Sequence, residues 1–165
     1  MIYSDLLSHI KTVDQARELT SEIDVLLDSL FKTENNAFDK ALNSVSVVTS
    51  QMLKSALGGL KDNINLGDKT KIQEYLIGIK EEIQKFKTLK LSLAFEPSEH
   101  TIDNLFAWVI QNLGSYVILD IDVDKKILGG AIIEYEGRYE DLSLKKRVEE
   151  VFGSKREEIA HALNS

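Results

Sequence analysis

The chain has no cysteine, one proline and one tryptophan in 165 residues. Without cysteine there are no disulfides, no zinc–thiolate sites and no cysteine nucleophile, and the absence fits a reducing compartment. No apolar run approaches the roughly 20 residues that span a bilayer. The first residues, Met1-Ile-Tyr-Ser-Asp-Leu-Leu7, carry no basic segment followed by a long apolar one, so no secretory signal is expected. Membrane association is therefore expected only through partners. Positive charge is also short: the formal net charge is −7, which opposes nucleic-acid binding. The local cations Lys145, Lys146 and Arg147, and Lys155 with Arg156, read as solvated helix faces.

Catalytic patterns are missing as well. Gly58-Gly59 is not followed by Gly-Lys-Ser/Thr, so it is no phosphate loop, and Gly129-Gly130 is not part of a G-x-G-x-x-G turn. No serine occupies a G-x-S-x-G elbow. His9, His100 and His161 stand far apart, without the spacing of metal ligands. No catalytic residue, cofactor or metal site is expected.

What is present is an ordinary globular composition, 43% hydrophobic and 28% charged, long enough to bury a core without cross-links. The first half reads helical. Thr12 to Phe31 places Val13, Ala16, Ile23, Leu27, Leu30 and Phe31 on one stripe, with Thr12 or Ser4 as the cap. After a polar break at Thr33–Asn36, a second helix is predicted to run to about Leu57, striped by Phe38, Leu42, Val45, Val48, Met52 and Ala56 and ended by Gly58-Gly59. Lys61 to Asp68 reads as a loop, with Asp68 the N-cap of a third helix bearing Ile72, Tyr75, Leu76, Ile79, Ile83 and Phe86. Glu81 and Lys85 have the supportive i, i+4 spacing on its other face. Three such stripes hide only against one another, which predicts a small helical bundle.

The pattern changes at residues 86–89. Leu89 to Phe95 alternates like a half-buried strand, and Pro97-Ser98 opens a helix striped by Ile102, Leu105, Phe106, Val109, Ile110 and Leu113 and stopped by Gly114. Val117 to Val123 is a second strand, and Leu128 to Tyr139 a third, interrupted or bent near Gly137. Ser143 to Phe152 is a helix showing Leu144, Val148, Val151 and Phe152, and Ser154 with Glu157 suggests a short last one to Leu163. The expected fold is α+β: a small helical bundle over 1–87, then a compact β-α-β-β-α domain over 88–165 with helices covering the sheet.

Asp120, Asp122 and Asp124 recur at strand period, opposite Leu119, Ile121 and Val123. They read either as a Mg²⁺ or Ca²⁺ site or as a solvent-facing acidic edge. Same-face neighbours about 7 Å apart favour the edge. Trp108 lies on the flank of its helix stripe, a place for an interface anchor or for intramolecular packing. Tyr135 and Tyr139 are expected to share a strand face, with the same two readings.

The most specific stretch is 124–147. Asp124, Ile127-Leu128, Gly129-Gly130, the turn at Gly137, Asp141, Ser143, Lys145 and Arg147 follow one another without a gap in the order of a known signature. This stretch, with the preceding strand–helix–strand from about residue 86, resembles the C-terminal region of the F-type ATP synthase delta subunit family, called OSCP in mitochondria. Lys125 stands where that family often has proline, Leu142 where it has glycine, and Glu136-Gly137 where it has Gly-Asp. The helical half is a short version of the family's bundle. The resemblance implies a stator without an active site, peripheral to the cytoplasmic face of the plasma membrane. Its N-terminal bundle would hold the N-terminal segments of the F1 alpha subunits and its C-terminal domain the C-terminal helices of subunit b. Trp108 and Lys145 are then possible partner contacts. The alternatives are an E-like stator subunit of a V/A-type ATPase, a small acidic metal-dependent enzyme built on Asp120, Asp122 and Asp124, and an interaction domain unrelated to ATP synthase.

Overall fold

Thr12 begins the first long helix by a reciprocal exchange: its hydroxyl accepts from the Gln15 amide, and the Gln15 side chain accepts from the Thr12 amide. A computed structural model describes residues 3–34, 36–56 and 66–154 of the chain. The chain divides into two compact units, 1–87 and 88–165.

The first unit holds α1 (Ser4–Leu7), α2 (Val13–Leu30), α3 (Ala37–Ser44), α4 (Val47–Ala56) and α5 (Leu66–Ile83). Helix α2 buries Ala16, Leu19, Ile23, Leu26 and Leu30, a strict 3–4 spacing, and it packs on α3 and α5. Phe31, expected on this stripe, is the C-cap residue and is exposed, because at 100° per residue it lies roughly a quarter turn off the buried line. Helix α5 contributes Ile72, Leu76 and Ile79, each fully buried. The Lys69 ammonium donates to the Leu30 carbonyl at 3.1 Å and so closes the C-terminal end of α2.

Three local expectations are corrected here. The second predicted helix is broken at Val45-Ser46, where Val45 is extended, into α3 and α4. The Ser46 amide and hydroxyl donate to the Glu22 carboxylate of α2, and the Ser46 hydroxyl accepts from the Thr49 amide. The break resets the helical phase, so α4 buries Thr49, Ser50 and Leu53 and leaves Val48 exposed. Asp68 is not an N-cap, because α5 already begins at Leu66. Lys85 pairs with Glu82 three residues back, not with Glu81. The expected stop at Gly58-Gly59 and the expected last helix beyond Ser154 lie outside the described residues.

The second unit is built on β1 (Lys87–Leu93), β2 (Val117–Val123), β3 (Ala131–Tyr135) and β4 (Arg138–Asp141), in the order β2-β1-β3-β4. Strand β1 pairs antiparallel with β3, and β3 with β4. The Asp124 amide, just past the end of β2, donates to the Leu93 carbonyl at the end of β1, so those two strands run the same way and the sheet is mixed. Parallel neighbours need a crossover, supplied by α6 (Glu99–Leu113). Ser98 caps this helix by accepting from the Thr101 amide, and Gly114 ends it at φ 102°. Leu89, Leu91, Leu93, Val117 and Leu119 close on Val109 of α6, with Ile102, Leu105, Phe106, Ile133 and Tyr135 around them. The fold class is thus α+β, helices first and a sheet second.

The segment expected to be interrupted or bent near Gly137 folds back on itself there as a hairpin. Tyr135 pairs with Arg138 across a two-residue turn in which Glu136 (φ 48°) and Gly137 (φ 76°) are both left-handed, the geometry of a tight hairpin. Tyr139 therefore pairs with Glu134, not with Tyr135. Directly paired residues share a face, so the two tyrosines point to opposite sides. Tyr135 packs on the core, while Tyr139 is 65% exposed.

Candidate functional site

The double glycine and the Asp141-Leu142-Ser143 turn, distant in sequence, meet. The Asp124 carboxylate accepts from the Lys126 amide at 2.9 Å, and the Ile127 amide donates back to the Asp124 carbonyl, which turns the chain out of β2. Gly129 (φ 75°) and Gly130 (φ 86°) then lie between the end of β1 and the start of the last described helix, α7 (Leu144–Ser154). The Ala94 amide donates to the Gly130 carbonyl, the Leu142 amide to Ala131 and the Leu144 amide to Gly129. A Cβ on Gly130 would lie 2.4 Å from the Leu142 carbonyl oxygen and 3.1 Å from the Ser143 Cα. Glycine is required there by close backbone approach as well as by the positive φ. Gly129 has more room: the nearest atom to its Cβ would be Leu144 Cβ at 3.7 Å.

Asp141 and Ser143 complete this clasp. The Asp141 carboxylate accepts from the Ser143 amide at 2.8 Å, and the Ser143 hydroxyl accepts from the Lys146 amide at 3.3 Å as the N-cap of α7. Ser143 is buried. Hydrogen bonds from the Ser143 side chain and amide hold the Asp141 carboxyl below its ordinary value near 3.8, with smaller help from Lys146 and Lys145 against desolvation. A depressed carboxyl contributes stability above its unfolded value and loses it as the pH falls through the folded one. The clasp is therefore expected to loosen below about pH 4. Amide exchange at Ser143 and Lys146 should accelerate in that range, and Asp141→Asn should remove that part of the acid dependence.

Past the clasp, every side chain of α7 from Leu144 to Glu150 is exposed. Helix α6 packs on the sheet. Leu144 (54% exposed) and Val148 lie one turn apart, and Leu128 and Leu142 are exposed as well. Lys145, Lys146 and Arg147 share the same first turns. Trp108, on α6, is 51% exposed, and its carbonyl accepts from the Asn112 side chain. Sequence reading missed the apolar set because each leucine taken alone reads as core. The signal that could have found it was the crowding of Leu128, Leu142 and Leu144 around the two glycines.

The helical unit carries a second feature that periodicity did not reveal. A groove of about 350 Å³ opens over α1, α2 and α4, floored by Leu6, Ile10, Leu19 and Met52 and rimmed by Lys11, Glu18 and Glu22. Asp120 and Asp124 are half-buried and Asp122 is exposed. Among the described residues no three His, Asp or Glu side chains come together as a metal site.

A family model described as ATP synthase delta (OSCP) subunit matches residues 3–152. The chain belongs to that family. The match runs through both units, so the delta (OSCP) relationship is not confined to the C-terminal signature. A search of curated proteins finds no match. Membership makes the chain a peripheral-stalk subunit of an ATP synthase, of a family that binds F1 and the stalk. It decides against the V/A-type E-like reading. No helix among the described residues is long and apolar enough to cross a membrane.

Proposed function

We propose that this subunit joins the catalytic head of an F1Fo ATP synthase to subunit b and keeps the head still while the central shaft turns. Rotation can then couple proton transport to ATP synthesis. In this reading unit 1–87 receives the N-terminal segments of the F1 alpha subunits, and unit 88–165 receives the C-terminal helices of b, on the cytoplasmic face of the plasma membrane. The observation that carries it is α7: a helix fixed at its first turn by the Gly129–Gly130 clasp, with every side chain from Leu144 to Glu150 exposed. An amphipathic helix gains stability by burying its apolar face. A helix held rigidly at one end with Leu144 and Val148 uncovered is suited to pack on another helix. The groove over α1, α2 and α4, apolar in its floor and charged at its rim, is suited to a second amphipathic helix. A stator transmits torque through such contacts and needs no reacting group. The tagged full chain, drawn from detergent-solubilised membranes of its source, is expected to recover both F1 alpha and b. Recovery of neither would remove this reading.

A further inference from the structure

Gly78 lies inside helix α5, where glycine is less favourable than alanine because its backbone has more freedom to lose. The side chain it lacks leaves room for another. A Cβ there would collide with the Tyr3 hydroxyl oxygen and stand 2.8 Å from Tyr3 Cζ. One turn earlier on α5, Tyr75 meets the same ring in a tilted pair, with centroids 5.2 Å apart and planes inclined at 48°. A large and a small residue one turn apart thus form a seat for the Tyr3 phenol. What Tyr3 anchors is short: α1 has four residues, too few for a helix to hold itself. The Leu7 amide donates to the Tyr3 carbonyl and the Ile10 amide to that of Leu7. Leu6 and Ile10 are buried, and with His9 and Lys11 they line one side of the groove that α2 and α4 complete. The far end of the segment is tied differently. The Gln15 side chain accepts from the Lys11 and Thr12 amides, and Thr12 is extended. That tie belongs to the capping of α2 and does not need α1 in place.

We propose that residues 3–11 are a strap, hinged at Lys11-Thr12 and latched by Tyr3 in its seat on α5, and that the latch decides whether the groove exists. With Tyr3 seated, Leu6 and Ile10 are held in place as part of the groove floor. With Tyr3 withdrawn, the strap swings on Thr12 and the groove loses that wall. The two arrangements are a local equilibrium, biased by whatever fills or empties the seat. The latch opens without unfolding the bundle. The atoms that reach Gly78 are the free end of the Tyr3 side chain, which rotates away about its own bonds. The fully buried Ile23, Leu26, Ile72, Leu76 and Ile79 of α2 and α5 stay packed. The strap walls the groove for any occupant, so its test needs none.

The test follows amide hydrogen exchange of the full chain together with its binding of anilinonaphthalene sulfonate, a dye that lights up on exposed apolar surface. Gly78→Ala fills the seat and evicts Tyr3 while favouring α5 as a helix. Tyr3→Ala removes the latch itself. In each variant the Leu7, His9 and Ile10 amides should exchange about tenfold faster than in the wild type, with Ile23 and Ile79 no faster. Dye fluorescence should rise in both, because Leu6, Ile10 and the groove face of α2 and α4 come into the open. The double variant should match Tyr3→Ala at Leu7, His9 and Ile10, since filling an empty seat evicts nothing. Strap exchange left unchanged by Gly78→Ala overturns the latch, and so does an equal acceleration at Ile23 and Ile79, which makes Gly78 a packing residue of the whole bundle. Effects of the two substitutions that add in the double variant overturn the seat. Faster strap exchange without added dye binding overturns the strap as the wall of the groove.

Discussion

Gly130→Ala will unfold the sheet unit at markedly lower temperature or denaturant than the wild type. Its Cβ has nowhere to go: 2.4 Å from the Leu142 carbonyl oxygen, the neighbour is backbone and cannot rotate away. Relief requires moving the 141–143 turn, and with it the bonds from Leu142 to Ala131 and from Leu144 to Gly129. The left-handed φ of 86° adds a penalty of about 1 kcal/mol for any residue with a Cβ. With the lost bonds and the displaced turn, the total is about 2–4 kcal/mol. For a unit of this size that corresponds to a melting shift on the order of 10 °C or more. Gly129→Ala is the control. It has a comparable φ but only ordinary contacts, so its cost is about 1 kcal/mol. Trp108, the only tryptophan, lies in this unit and reports its unfolding separately from the helical one.

The second large effect belongs to the other unit. Leu76→Ala opens a cavity at a fully buried position on the stripe that α5 turns toward the bundle core. Large-to-small changes at such sites cost about 2–5 kcal/mol, the lost transfer energy plus the unfilled volume. The helical circular dichroism transition should move to lower denaturant while the Trp108 fluorescence transition stays in place. Gly130→Ala should do the reverse. Each unit has its own buried set, so each substitution should act on its own unit. A single transition shifted equally by both substitutions would contradict this independence.

These two residues also mark what the sequence could tell. Leu76 was legible, because helical spacing alone puts it with Ile72 and Ile79. Helix α6 and strand β2 were legible for the same reason, bounded by Ser98, Gly114 and an alternating run. Gly129 and Gly130 were legible as a special backbone position and, by resemblance, as part of a family signature. Their structural reason was not, because the atoms that forbid a Cβ at Gly130 come from Leu142 and Ser143, a dozen residues away and across a hairpin. The break at Ser46 was hidden likewise: the group that takes its amide is Glu22 of another helix. The opposite faces of Tyr135 and Tyr139 depended on a two-residue turn that inverts the strand's parity. The exposure of α7 from Leu144 to Glu150 was the least legible feature. An amphipathic stripe does not say whether its partner belongs to the same chain or to another.

The central claim, that one chain bridges head and stalk, is tested most directly by reconstitution. Purified F1 is immobilised, a labelled soluble fragment of subunit b is passed over it, and the retained label is measured with and without this protein. Subunit b is expected to be held on F1 only when the chain is present. Retention of b that is the same with and without the chain, or no retention in its presence, would contradict it.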